Sequence, residues 1–385
     1  MSYDFQVQFN LPILNPVYGN YIGVISNGDG RIMFAIEYSA VSNDLYKFAV
    51  WRTEDYGINW AVVYSDVSNV TVSPIGNIIS VSNSGKYVLF VYGINAFYSN
   101  DSGKTFTGTQ PDVAGSILLN CAIGQILNEG DPPQLFLISL VENDNLTNVF
   151  RSSDGANTWE IKATRDFTNY STTLSASYNN SDTQYVYFGY NGLIIISDDN
   201  AETFNTVIPV FGNPNTDMYI RTNGTGEFLM LQSRSYAVGS KKIVPLVNNL
   251  SDKVNLFERA NLEETVGVPP AVNFLLSTDF GINYSPLING DSGLPLSSSQ
   301  VAFGCPYVDM NAKKMLVSVY NSTNPSIKQT TFYLGLERSN ENFRGIVTEL
   351  GQTFTYVSGN NNKDSNPERY IIASGGVVFV CYQLR

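Results

Sequence analysis

Thr53-Glu54-Asp55-Tyr56-Gly57-Ile58-Asn59-Trp60 decides how this chain reads, because its spacing returns along the sequence. The pattern is Ser or Thr, Asp two places on, Gly or Ala two further, Thr or Asn two further, then an aromatic. It recurs as Ser99, Asp101, Gly103, Thr105, Phe106, and as Ser152, Asp154, Ala156, Thr158, Trp159 with the glycine moved to Gly155. Ser197, Asp199, Ala201, Thr203, Phe204 and Ser277, Asp279, Gly281, Asn283, Tyr284 make five good copies. A worn sixth keeps Gly351, Thr353 and Phe354 but has Val347 and Glu349 at the first and third places. Asp and Ser side chains hydrogen-bond nearby backbone N–H groups, and Gly takes the positive φ of a tight turn. Each copy follows a short apolar run, and its closing aromatic opens another, so the octet reads as strand, turn, strand.

Upstream of each octet lies a second repeat, an apolar strand, a Gly/Asn/Ser turn and another apolar strand. It spans 21–38 around Asn27-Gly28-Asp29-Gly30, and returns at 78–92, 175–190, 219–232 and 308–320. Residues 116–140 fit it loosely, and 370–382 match it with no octet following. A repeated four-stranded antiparallel unit of about 45 residues is the sequence signature of a β-propeller. The expected fold class is therefore all-β, one propeller domain over 1–385 with an insertion at about 235–270. Seven units are expected, the last completed by an N-terminal strand at 5–9 that pairs with the C-terminal hairpin and hides its edge. Six units, with the terminal strands packed elsewhere, are the alternative.

Composition agrees and removes several chemistries. Of 385 residues 15% are charged and 13% aromatic, 42 are Asn, and the net charge is −12. Absence of His removes His-based general bases, triads and the common zinc sites. Acidic balance speaks against nucleic acid as the partner. Cys121, Cys305 and Cys381 form no CxxC, so neither a disulfide scaffold nor a structural metal is expected. No cofactor is expected. The first residues lack a basic and apolar leader of the classical secretory kind, and no apolar run is long enough to insert in a membrane.

The octet resembles the Asp-box, or bacterial neuraminidase repeat, shared by sialidases, xyloglucan-cleaving glycosidases, sortilin-type receptors and binding propellers. That resemblance implies that Asp55, Asp101, Asp154, Asp199 and Asp279, with Trp60, Phe106, Trp159, Phe204 and Tyr284, are structural. It places the boxes between third and outermost strands, away from the usual active face. Sialidases carry an Arg-Ile-Pro motif on the first strand and an acid followed by Arg on the next. Here Asn20 or Tyr21 stands where the first Arg would fall, and Tyr38 follows Glu37. Neither side chain replaces a guanidinium that clamps a carboxylate through two hydrogen bonds, so sialidase activity is not expected.

Outside the boxes, the insertion holds most local charge, and Lys241, Lys242, Glu258, Arg259, Glu263 and Glu264 form the candidate binding loop. Long loops in compact domains often carry function. Read together, these features describe a non-catalytic propeller that binds a protein partner or a carbohydrate, a structural or surface component of a virus particle or extracellular assembly. The alternative is a glycoside hydrolase or lyase that uses an acid pair on the face away from the boxes.

Overall fold

The apolar runs form antiparallel strands, and the polar clusters between them form the turns. The computed structural model describes residues 5–8, 11, 12, 14, 19–42, 45–69, 78–112, 116–128, 130–141, 146–166, 172–178, 184–190, 193–204, 206–209, 218–233, 274–286, 288–289, 294–295, 300–308, 315–321, 330–334, 344–348, 356–359, 368–374 and 377–383. No helix occurs among the described residues.

The chain begins with β1 (Phe5–Gln8), whose partner comes from its far end. Five four-stranded sheets follow, each ordered as its strands occur in sequence. The first holds β2 (Gly19–Ser26), β3 (Met33–Ser42), β4 (Leu45–Thr53) and β5 (Ala61–Ser68). The second holds β6 (Ile79–Val81), β7 (Val88–Tyr92), β8 (Asn95–Ser99) and β9 (Thr107–Thr109). In the third are β10 (Ser116–Ile123), β11 (Leu135–Val141), β12 (Leu146–Ser152) and β13 (Glu160–Asp166). The fourth contains β14 (Thr172–Ala176), β15 (Val186–Tyr190), β16 (Leu193–Ser197) and β17 (Thr206–Pro209). β18 (Met218–Thr222), β19 (Leu229–Ser233), β20 (Phe274–Ser277) and β21 (Ser285–Pro286) make the fifth.

A small hairpin, β22 (Ile288–Asn289) and β23 (Leu294–Pro295), comes next. β24 (Gln300–Val308) pairs with β25 (Met315–Asn321), and β26 (Thr330–Leu334) with β27 (Arg344–Thr348). β28 (Tyr356–Gly359), β29 (Glu368–Ser374) and β30 (Val377–Gln383) then run side by side. β1 completes that sheet against β30, with Phe5 opposite Gln383 and Gln8 opposite Val380. A single parallel pair, Cys305 with Tyr356, joins β24 to β28.

First strands lie beside first strands. β2 neighbours β6, β6 neighbours β10, and the series continues through β14, β18, β24 and β28, which again neighbours β2. A first strand has an unpaired edge, and its N–H groups need acceptors. Hydroxyls of the preceding first strand supply them. Ser80 Oγ accepts from Ile123 N at 3.0 Å, Thr173 Oγ1 from Ile220 N at 3.2 Å, and Ser175 Oγ from Thr222 N at 3.3 Å. The core fills the spaces between sheets, where Phe34, Phe48, Phe90, Phe136, Phe150 and Phe188 are fully buried.

Two expectations change. Val347, the head of the worn sixth octet, sits inside β27 opposite Thr331, not at a turn between third and fourth strands. Val and Glu at its first and third places lack the hydroxyl and short carboxylate that fold such a turn, and its Gly351, Thr353 and Phe354 lie outside the described residues. The hairpin at 370–382 supplies the second and third strands of its sheet, because β28 precedes it. The insertion at 235–270 also lies outside the described residues, between β19 and β20 in sequence.

Candidate functional site

Every good octet closes the turn between the third and fourth strands of its sheet, and the five are built alike. The first hydroxyl donates to the Asp Oδ1 at 2.7–2.9 Å. The same Oδ1 accepts the amide four residues on, from Asn59, Thr105, Thr158, Thr203 and Asn283, at 2.8–3.0 Å. Oδ2 accepts the side chain of that residue at 2.6–2.7 Å. The hydroxyl in turn accepts the amide of the fifth residue, from Gly57, Gly103, Ala156, Ala201 and Gly281. Fourth and fifth residues both take positive φ, as in Ser102 (66°) and Gly103 (74°) or Asn200 and Ala201 (62° each). Alternation of the Ser/Thr, Asp and Gly/Ala positions is thus a hydrogen-bonding circuit folded around two left-handed residues.

The circuit is tied to the rest of its sheet and to the next one. Amides of Tyr56, Ser102, Asn200 and Phe280 donate to the carbonyls of Arg31, Lys86, Gln184 and Glu227, each two residues before the second strand of the same sheet. The residue just ahead of an octet reaches the octet of the following sheet. Arg52 Nε donates to Ser102 O at 2.6 Å, and Arg151 Nη1 to Asn200 O at 2.9 Å. Tyr98 stands 3.3 Å from where a Cβ on Gly155 would lie, and Ile196 3.0 Å from one on Gly281. Arg151 also pairs with Glu160 and Glu202, and Lys162 bridges the same two carboxylates. The closing aromatics are anchored within their own sheet or against the preceding one. Phe106 meets Phe90 edge-on at 4.9 Å, Trp159 Nε1 donates to Thr109 Oγ1 at 3.1 Å, and Trp60 Nε1 donates to Gly57 O. Phe204 and Tyr284 are buried.

This geometry fixes the charge state of the box acids. Partial burial pushes the Asp101 carboxyl up, but hydrogen bonds from Thr105, Ser99 and Lys104 outweigh it and hold the group at about 2. Asp55, Asp154, Asp199 and Asp279 are lowered by the same balance. A carboxyl with a depressed folded value adds stability that is complete above its unfolded value, about 3.9, and disappears as pH falls through the folded one. Acid unfolding followed by circular dichroism is expected to set in between about pH 4 and pH 2. Asp101→Asn is expected to flatten that pH dependence.

The middle of the first sheet carries different chemistry. Glu37, on β3, is 3% exposed, and Lys47 Nζ donates to both its oxygens at 3.0 Å. Trp51 Nε1 donates to Oε2 at 2.8 Å and Ser39 Oγ to Oε1 at 3.0 Å. Burial first, and then the nearby Glu37, push the Tyr21 hydroxyl far above its ordinary value; it donates to Pro12 O at 3.0 Å. This carboxylate is occupied by partners from its own sheet.

On the other face of the same sheet, Tyr38 and Tyr46 flank the β3–β4 turn with rings stacked at 5.0 Å and 12°. Ser68 lies opposite Tyr46, and Asp66 opposite Phe48. Ser68 Oγ and Tyr92 Oη, the latter at the end of β7, are 2.5 Å apart. Sequence reading missed this group, whose members lie far apart along the chain and look like ordinary strand residues. The candidate loop residues Lys241, Lys242, Glu258, Arg259, Glu263 and Glu264 fall outside the described residues. Among the described residues no group of three or more Cys, Asp or Glu is placed to hold a metal ion.

No protein-family model matches the sequence, nor does any curated protein. Solved structures do resemble it. The GH74 xyloglucanase from Xanthomonas campestris shares 13% identity and a TM-score of 0.56, over 99% of this chain and 54% of that one. An ancestral GH74 enzyme gives 11% and 0.54, over 97% and 46%. The fold is a β-propeller. A chain of the Mitotic Checkpoint Complex has a comparable likeness, with 8% identity, a TM-score of 0.57, and coverage of 98% of this propeller and 91% of that chain. The propeller therefore spans about half the length of the two GH74 enzymes, and at these identities the likeness shows the fold alone.

Proposed function

We propose that this chain is a non-catalytic β-propeller, a single seven-unit ring closed by β1 against β30, that binds a protein or carbohydrate partner through the end opposite the boxes. On this reading the octets are Asp-boxes and their ten singled-out residues are structural. The chain would then act as a structural or surface component of a larger assembly, with its 235–270 insertion as the candidate binding loop.

One observation carries the non-catalytic part. The five box carboxylates are each held low by a circuit within their own turn, so none is a proton donor near neutral pH. Glu37 is buried under Lys47, Trp51 and Ser39, out of a substrate's reach. The likeness to GH74 enzymes favours the hydrolase alternative only through a fold that hosts many functions.

Incubation of the purified chain with xyloglucan, polygalacturonate and sialyllactose is expected to release no new reducing end and no unsaturated product. Turnover abolished by a single acid-to-amide substitution outside the boxes would overturn the non-catalytic reading.

A further inference from the structure

We propose that the outer edge of β5, on the rim of the ring, docks an extended segment of another protein that carries a lysine or arginine. The segment adds to the first sheet as a fifth strand. This surface is separate from the end opposite the boxes, and it works through main-chain groups rather than a pocket.

An outer strand leaves a row of backbone N–H and C=O groups unpaired, and proteins protect such edges with short length, proline or charge, lysine above all. Four of the five four-stranded sheets do so. β9 has three residues, and β21 has two, the second of them Pro286. β17 has four and ends on Pro209. β13 has seven, of which Glu160, Lys162, Arg165 and Asp166 are charged. β1, outermost in the sheet it closes, has four. β5 has eight residues, no proline, no lysine and one charge, Asp66. No described strand pairs with its outer side, and Val62 and Val67 are 43% and 50% exposed.

The edge is already ordered. Val63 is the extra residue where the pairing of β4 with β5 slips, so Tyr64–Ser68 is the regular run, about as long as an average strand. On one face Tyr64 packs against Phe90 at 5.2 Å and Phe97 at 4.6 Å, and Ser68 reaches Tyr92. Ser65 and Val67 lie on the other face, opposite Ala49 and Lys47. Alternate residues of the run direct both backbone groups away from β4, and a partner that pairs with an ordered strand is spared the cost of ordering it. Asp66 chooses the partner. Full antiparallel overlap of Tyr64–Ser68 with the same run of a second copy sets Asp66 against Asp66, and like charges directly opposite destabilise a pair. An opposite charge at that place stabilises it. Lys47 does not supply that charge, because it lies on the other face and is tied to Glu37. The occupant is therefore a foreign segment with Lys or Arg opposite Asp66 and a β-branched residue opposite Val67. In such strand addition main-chain bonds give affinity, and alternate side chains give specificity.

The test is isothermal titration of the full chain with the capped hexapeptide Thr-Val-Lys-Thr-Val-Thr, whose Val and Lys fall opposite Val67 and Asp66 in an antiparallel pair. The peptide is expected to bind, and to slow hydrogen exchange at alternate amides of residues 64–68. Glu in place of its Lys is expected to weaken binding at least tenfold. Methylation of alternate peptide nitrogens is expected to abolish binding in one phase and spare it in the other, since only one phase faces β5. Val67→Lys, a change at an exposed side chain, is expected to weaken binding at least tenfold with the urea midpoint unchanged; Asp66→Asn is expected to remove the preference for Lys over Glu. No binding of the Lys peptide, equal affinity for the Glu peptide, or binding by both methylated forms would overturn the site and leave the non-catalytic propeller standing. A dimer of the chain that Val67→Lys dissolves would overturn the foreign occupant in favour of a second copy.

Discussion

Gly103→Ala is expected to lower stability by roughly 2–4 kcal/mol, the sum of a backbone and an overpacking cost. Gly103 sits at φ 74°, and a Cβ there would lie 2.6 Å from both Cε1 and Cζ of Phe34, a fully buried ring on β3. The backbone alone accounts for about 1 kcal/mol, since alanine already occupies the same octet position as Ala156 (φ 67°) and Ala201 (φ 62°). What differs is the neighbour. An added methyl group has to displace an aromatic ring that fills the space between two sheets, and overpacking of this kind costs about 1–3 kcal/mol. The converse change, Ala201→Gly, relieves the backbone but loses a small buried methyl, and is expected to stay within about 1 kcal/mol of the parent. Urea unfolding midpoints of the two variants check this asymmetry. A loss of only about 1 kcal/mol for Gly103→Ala, matched by a gain of similar size for Ala201→Gly, would mean that φ, not Phe34, sets the glycine requirement.

The octets were legible because their physics is local. Hydroxyl, carboxylate, left-handed pair and closing Thr or Asn lie within a few residues of one another, so sequence spacing alone describes the circuit. The hairpins were legible for a related reason, since apolar runs bounded by Asn, Gly and Ser leave few other arrangements. Val347 shows where that reading fails. A pattern match without the hydroxyl and carboxylate is only a string, and β27 runs through it. β28 was missed because Tyr-Val-Ser-Gly is too short to carry an alternation.

The Ser68–Tyr92 contact was illegible for a different reason. Ser68 and Tyr92 meet across 24 residues of sequence, and the pairing of β4 with β5 slips between Val50 and Trp51. A slip of one residue exchanges the two faces of a strand. Counting alternation from Trp60 therefore assigns Asp66 and Ser68 to the wrong face. The same irregularity occurs on β2 between Tyr21 and Gly23, opposite Glu37. The role of Arg52 and Arg151 was half legible. Their place ahead of an octet was visible in sequence, but their carbonyl acceptors belong to the following sheet.

Closure of the ring by the two ends of the chain is the claim on which the rest depends, and one engineered bond tests it. Val7 on β1 lies opposite Cys381 on β30, and directly opposed residues of an antiparallel pair have Cα atoms about 4.5–5.5 Å apart, within disulfide range. Val7→Cys is expected to oxidise spontaneously to an intramolecular bond with Cys381, identified by peptide mapping. That bond closes a loop of nearly the whole chain, and should raise stability by roughly 2–5 kcal/mol over the reduced form. Two free thiols under mild oxidant, or a bond to Cys121 or Cys305 instead, would contradict the closed ring.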